Sequence, residues 1–193
     1  MIGKRTAFRA EIFTNCDVGT PEQRAEIIKQ LKSYQNHCTG MGFSNPGCFR
    51  IDKPNINIGW LFDEISVLLS EAVKFYQQED RIFSKLEINK DAIVTWWANI
   101  NQPGSRNTFH THKEDEFSCV YYLQGTETGD LRFPNPANLL GDCSKTSPFT
   151  RDFLFAPNDG DLILFPSWLP HEVEPNLSNK ERINLAFNFK VTR

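Results

Sequence analysis

Four histidines occur in the chain, and three of them, His110, His112 and His171, lie in its C-terminal half. His110 and His112 are separated by one residue in Phe109-His110-Thr111-His112-Lys113. On a strand, alternate side chains point to one face, so both imidazoles project together. His171 follows Pro166-Ser167-Trp168-Leu169-Pro170 and opens a later strand. In a jelly roll, strands distant in sequence lie beside one another. Two ligands from one strand and a third from a distant one form a site for a divalent metal. Imidazole suits iron, zinc, copper and nickel.

Arg182 begins the segment Arg182-Ile183-Asn184-Leu185-Ala186-Phe187-Asn188-Phe189. Alternate positions are apolar, and the opposite face carries Arg182, Asn184, Ala186 and Asn188. Such a face inside an aromatic barrel needs partners for its polar groups. A guanidinium fork matches a carboxylate bidentately.

The elements that must position these residues divide the chain. Ala7 to Phe13 is expected to form a first strand. Thr20-Pro21-Glu22-Gln23 is a helix start: Thr20 caps, Pro21 suits the first helical position and Gln23 completes a capping box. That helix is expected to reach about His37. Residues 38–57, broken by Gly40, Gly42, Pro46, Gly47 and Pro54, read as loop. Ile58, Leu61, Phe62, Ile65, Leu68, Leu69, Ala72 and Val73 fall on one face of a second helix. From Ile93 the pattern changes to short strands near 92–100, 107–113, 117–124, 129–133, 151–156, 161–166, 171–175 and 182–192. Eight short strands between Gly and Pro turns predict a jelly roll, buttressed by helices on one side. The reading is one mainly β domain over 1–193. Residues 1–90 form an N-terminal helical support (α+β overall), and 91–193 form the double-stranded β-helix core. Residues 135–149, rich in turn formers, are a candidate border of the substrate entrance.

Composition narrows the function classes. Hydrophobic residues make up 39% and charged residues 23%, as in ordinary globular domains. The net charge of -3 gives no reason to expect non-specific nucleic-acid or membrane-surface binding. Five cysteines, at wide spacing and without C-x-x-C, suggest neither a disulfide framework nor a zinc ribbon. No apolar run approaches membrane-spanning length, and no signal-like segment opens the chain. The expected location is therefore a reducing cytoplasm, the host's if the chain is phage-encoded. With 16 Phe and 4 Trp, the core or a pocket is aromatic. Trp96, Trp97, Tyr122, Phe133 and Trp168 are candidates for pocket lining.

From about Ile93 to Val191 the residues resemble the iron(II)- and 2-oxoglutarate-dependent dioxygenase superfamily. There the metal is held by H-x-D or H-x-E and a distal His, and a following Arg or Lys binds the far carboxylate of 2-oxoglutarate. His110, His171 and Arg182 fit these places. Trp97-Ala98-Asn99-Ile100-Asn101-Gln102-Pro103-Gly104 is similar to the polar strand and Pro-Gly turn of AlkB-type members. That resemblance implies that Asn99 and Asn101 help to hold 2-oxoglutarate, as does Asn184. A closer resemblance is to a branch of 2-oxoglutarate oxygenases of bacteria and their phages. Ser44-Asn45-Pro46-Gly47, Asn107-Thr108-Phe109-His110-Thr111-His112, Cys119-Val120-Tyr121-Tyr122-Leu123 and Phe165 to His171 carry it. The resemblance implies Fe(II) as cofactor, 2-oxoglutarate and O2 as cosubstrates, and hydroxylation of a protein or small-molecule substrate. Asn107 and Tyr121 join Asn99, Asn101, Asn184 and Arg182 as candidate 2-oxoglutarate contacts.

His112 is where the chain departs from the superfamily, since the usual carboxylate is absent. Three neutral imidazoles leave iron(II) its full charge until dianionic 2-oxoglutarate binds. Alternatives are ligation by a nearby acid (Glu114, Glu116 or, from a loop, Asp115) and a different metal such as zinc or manganese. Two other functions also fit the sequence. One is a three-His cupin-like metalloenzyme without 2-oxoglutarate, and the other a non-catalytic jelly-roll binding module. Fold alone does not choose among them.

Overall fold

The structure, a computed structural model, describes residues 10–35, 47–79, 93–112, 114–136 and 151–190. Ten strands and two helices lie among them. Their order is β1 (Phe13–Asn15), α1 (Pro21–Gln35), β2 (Cys48–Asp52), α2 (Gly59–Glu79), β3 (Ile93–Asn101), β4 (Asn107–His110), β5 (Phe117–Gln124), β6 (Leu131–Phe133), β7 (Phe153–Phe155), β8 (Leu162–Pro166), β9 (His171–Val173) and β10 (Arg182–Phe189). A six-stranded sheet, β1-β8-β5-β10-β3-β2, faces a four-stranded sheet, β4-β9-β6-β7. Every pairing is antiparallel. The fold is the expected jelly roll with supporting helices.

Period-two patterning sorts the large sheet into two faces. Ala98, Ile100, Cys119, Tyr121, Leu162, Leu164, Leu185 and Phe187 share one core with Ile27 and Leu31 of α1 and with Leu61, Ile65 and Leu69 of α2. Burial of this face against the two amphipathic helices holds the sheet rigid. The opposite face looks toward the small sheet, where Tyr122, Leu131, Phe133, Ile163, Phe165 and Leu169 make a second core. Trp97, Asn99, Asn184 and Ala186 share this inward face and line a cavity between the sheets. The polar face of β10 is therefore interior, because helices cover the sheet's other side.

The strands expected at 129–133, 151–156, 171–175 and 182–192 are shorter, at 131–133, 153–155, 171–173 and 182–189, α1 is described to Gln35, and three further differences bear on the sheets. The first strand is Phe13–Asn15, pairing with β8, and 10–12 are not strand. The rest of the expected 7–13 segment lies outside the described residues. β2 falls within the expected loop, between Gly47 and Pro54. It is an edge strand of five residues carrying Arg50 and Asp52, the short, charged form that edges take. Third, β4 ends at His110 rather than at 113. The Thr20–Gln23 capping box is formed: Thr20 N donates to Gln23 Oε1 (2.7 Å), and Gln23 N donates to Thr20 Oγ1 (3.2 Å). Residues 44–46 and most of the 135–149 segment lie outside the described residues. No helix of the described residues is long and apolar enough to cross a membrane.

Candidate metal and 2-oxoglutarate site

β4 and β9 pair with His110 directly opposite His171. The chain continues past β4 in extended form because His112 N donates to Ser167 O (3.0 Å). This bond brings His112 back over the same site. One ring nitrogen of each histidine lies within 4.8 Å of the others, and among the described residues no acid or cysteine joins the group. Glu114 and Glu116 are exposed. Asp115 is turned to Asn188.

The surroundings of each imidazole decide which nitrogen is free. His110 Nδ1 contacts Thr108 O at 2.7 Å, and His171 Nδ1 contacts Leu169 O at 2.9 Å. A carbonyl only accepts, so it holds the proton on Nδ1 and leaves the Nε2 lone pair for a metal. His112 has no such carbonyl; its Nδ1 lies 3.4 Å from Asn188 Nδ2. Asn188 Oδ1 accepts from Ser118 Oγ (3.0 Å), which lies 2.8 Å from Ser167 Oγ. Turning the amide by 180° would present Oδ1 to a protonated Nδ1 at the cost of the amide's bond to Asp115, and the rotatable Ser118 hydroxyl serves either arrangement.

Burial holds all three imidazoles neutral. It pushes His171 down to about 3, with His110 and His112 adding repulsion against the backbone bond at Leu169. Burial, then His110 and Arg50, push His112 down to about 4. Burial also lowers His110. Neutral imidazole is the ligating form. The same shifts make the metal-free fold acid-sensitive. A depressed histidine takes up its proton near pH 6.5 only when unfolded, so its contribution is full above 6.5. It is lost progressively as pH falls toward the folded value. For His171 this amounts to about 2 kcal/mol by pH 5. Urea unfolding of metal-free protein at pH 7 and 5 is expected to show a loss of stability at the lower pH, reduced in His171→Ala.

The histidines open onto a cavity of about 100 Å³. Asn99, Asn107, Asn184, Trp97 and Tyr122 are on its wall, with Val120, Leu131 and Val173 as apolar lining. Asn99 Nδ2 donates to Asn184 Oδ1 (2.9 Å). Arg182 lies behind one end, fully buried. Its Nη1 donates to Thr128 O (2.8 Å) and Glu174 O (3.3 Å), and its Nη2 donates to Asn107 Oδ1 (3.2 Å). Its Nε has no partner. Among the described residues no carboxylate neutralises this guanidinium, and desolvation lowers its pKa.

Several sequence candidates sit elsewhere. Tyr121 is not on the pocket. It occupies the odd parity of β5, under the helices, and its hydroxyl donates to Val18 O (2.6 Å). Its neighbour Tyr122 takes the pocket position, and burial pushes its phenol above the ordinary range. Asn101 is buried opposite Arg182 and accepts from Cys48 Sγ (3.5 Å), one row beyond the pocket wall. Trp96 stacks on Phe187 beneath α2, Phe133 packs beside His171, and Trp168 is exposed. The reading of the sequence missed Arg50, which lies on the unexpected strand β2. It lines the cavity and sits 4.2 Å from the Trp97 ring centre.

A family model described as "Putative 2OG-Fe(II) oxygenase" matches residues 95–188, which span both sheets and all three histidines. Over that segment, just under half of the chain, it is similar to the 2OG-Fe(II) oxygenases. Solved structures share its fold. A Pseudomonas putida prolyl-4-hydroxylase is 17% identical with a TM-score of 0.61, covering 93% of this chain and 92% of that one. A Trichoplax adhaerens prolyl hydroxylase, in complex with a hypoxia inducible factor peptide fragment, is 17% identical with a TM-score of 0.63, covering 94% and 83%. A viral collagen prolyl hydroxylase from Paramecium Bursaria Chlorella virus-1, in complex with 2-oxoglutarate, is 13% identical with a TM-score of 0.58, covering 92% and 94%. No curated protein matches by sequence. The family that this segment matches is one of iron(II) as cofactor and 2-oxoglutarate as cosubstrate. The donor set fits both. Three neutral imidazoles suit iron(II), and the orphaned Arg182 Nε, with no carboxylate of the described residues paired to the guanidinium, suits a dianion.

Proposed function

We propose that this chain is an iron(II)- and 2-oxoglutarate-dependent oxygenase that hydroxylates a protein or small-molecule substrate. His110, His112 and His171 hold the iron, and Arg182 with Tyr122 and Asn107 holds the far carboxylate of 2-oxoglutarate. The observation that carries the reading is a metal-competent trio opening onto a cavity whose lining residue Asn107 is bonded to a fully buried guanidinium that still has one unpartnered N–H. When bound, iron(II) and 2-oxoglutarate supply oxygen activation coupled to conversion of 2-oxoglutarate to succinate and carbon dioxide.

The chain's own residues bind, orient and exclude water. Thr108 O and Leu169 O fix two imidazoles, and Asn188 steadies the third. Asn99 and Asn184 are bonded to each other and offer their remaining polar atoms to the 2-oxoglutarate chain. Asn101 supports this row from behind. Val120, Leu131 and Val173 keep water from the reacting centre.

The test is anaerobic loading with iron(II), addition of 2-oxoglutarate, then exposure to ¹⁸O-labelled oxygen. A visible absorbance change on adding 2-oxoglutarate, followed by singly labelled succinate, is expected. No absorbance change and no succinate would overturn the reading.

A further inference from the structure

We propose that Arg50 is the recognition group for an anionic primary substrate, one bearing a carboxylate or phosphate. The inference rests on the functional reading above, because it takes the cavity as the place where iron, 2-oxoglutarate and substrate meet.

Position separates Arg50 from the 2-oxoglutarate end. Arg182 is fully buried behind Asn107 and Tyr122. Arg50 stands on β2, the open edge of the large sheet, with 37% of its side chain exposed. It reaches inward to the cavity wall over Trp97, whose ring centroid is 6.0 Å from that of His112. The Trp97 face orients the planar guanidinium while leaving its edge N–H groups for an oxyanion. Asp52, two residues on, accepts from Arg50 Nε (2.8 Å) and lies 2.7 Å from Nη2. That carboxylate is 71% exposed, so the pair is a surface one that a better-placed anion can displace.

Charge leads to the same conclusion. The cavity is lined by three imidazoles, one guanidinium, asparagines and a tyrosine, and by no carboxylate. His112 stands where the superfamily has an acid. Iron(II) and dianionic 2-oxoglutarate cancel, and Arg182 and Arg50 then leave an excess of positive charge that Asp52 only partly offsets. A substrate anion at Arg50 balances the site. A cationic substrate would meet Arg50 in a cavity of reduced dielectric, where like charges repel strongly.

The test uses the full chain loaded with diamagnetic zinc(II) and 2-oxoglutarate, ¹⁵N-labelled at tryptophan. The N-acetyl amides of aspartate, phosphoserine, asparagine and lysine are titrated, with the Trp97 indole N–H as readout. The aspartate and phosphoserine probes are expected to bind at least about tenfold more tightly than the asparagine and lysine probes, and their ratio distinguishes carboxylate from phosphate. Arg50→Gln is expected to erase that preference and Asp52→Asn to strengthen it. Arg50→Lys should retain part of it. The 2-oxoglutarate affinity of Arg50→Gln should change by less than about threefold, as for a screened charge. Equal binding of all four probes, or an undiminished preference in Arg50→Gln, overturns the proposal. So does a large loss of 2-oxoglutarate affinity in that variant, which would make Arg50 a cosubstrate ligand. Wild-type protein that binds zinc but not 2-oxoglutarate overturns the functional reading instead. The probe preference measured with zinc alone then decides the role of Arg50 separately.

Discussion

Alanine at position 171 is expected to lower iron(II) affinity by well over the roughly 10- to 100-fold that loss of an outer hydrogen-bond partner costs. His171 is 4% exposed, so water cannot readily take the place of its ring. Its neutral form is enforced by burial, and Leu169 O aims its free nitrogen at His110 and His112. Competition against a chelator of known affinity measures the loss, with circular dichroism confirming that the variant is folded. His112→Ala should lose affinity too, because no described acid is in the cluster to replace it. His112→Asp should retain most of it. A carboxylate at 112 accepts from Asn188 Nδ2 in the orientation observed, without the turn that an Nδ1-protonated imidazole requires. Wild-type affinity in His112→Ala would remove His112 from the ligand set.

How far this site could be read from the sequence depended on local rules. The His110–His112 pair is legible because a period of two is a backbone property. The alternation of β10 likewise separates Arg182, Asn184, Ala186 and Asn188 from the apolar set, and the structure places those four on the inward face. What was not legible is what lies across a sheet. Tyr121 and Tyr122 are adjacent and chemically identical, so only the helix-covered face decides which one enters the pocket. Strand β2 was hidden because only six residues, three of them charged, sit between Gly47 and Pro54, and its pairing with β3 is long-range. Arg50 was missed with it. Ser118, Ser167 and Asn188 converge on His112 from three separate segments, and no spacing rule predicts such a chain.

Loss of Arg182 or of the Tyr122 hydroxyl is expected to weaken 2-oxoglutarate binding while leaving metal binding intact. The guanidinium is fully buried, and its Nε has no partner. A buried charge without a counter-charge is costly, and the cosubstrate's carboxylate relieves that cost on binding. Tyr122 stays protonated because burial raises its pKa, so its hydroxyl donates at neutral pH. A hydrogen bond to a charged group contributes about 1.5–3 kcal/mol, so Tyr122→Phe should cost roughly ten- to hundredfold in 2-oxoglutarate affinity. Arg182→Gln should cost more, since it removes the charge. It also disturbs the Thr128 and Glu174 carbonyls, which makes Tyr122→Phe the variant safer for the fold. Calorimetric titration of 2-oxoglutarate into manganese(II)-loaded protein separates the two binding events. Thermal unfolding gives an independent reading: a hundredfold excess of ligand over its Kd stabilises by about 2.7 kcal/mol. That increment should be present in the wild type and largely absent in Arg182→Gln at the same concentration. A Tyr122→Phe protein that binds 2-oxoglutarate as tightly as the wild type would place the far carboxylate elsewhere in the cavity. Arg50 would then be the next guanidinium to test.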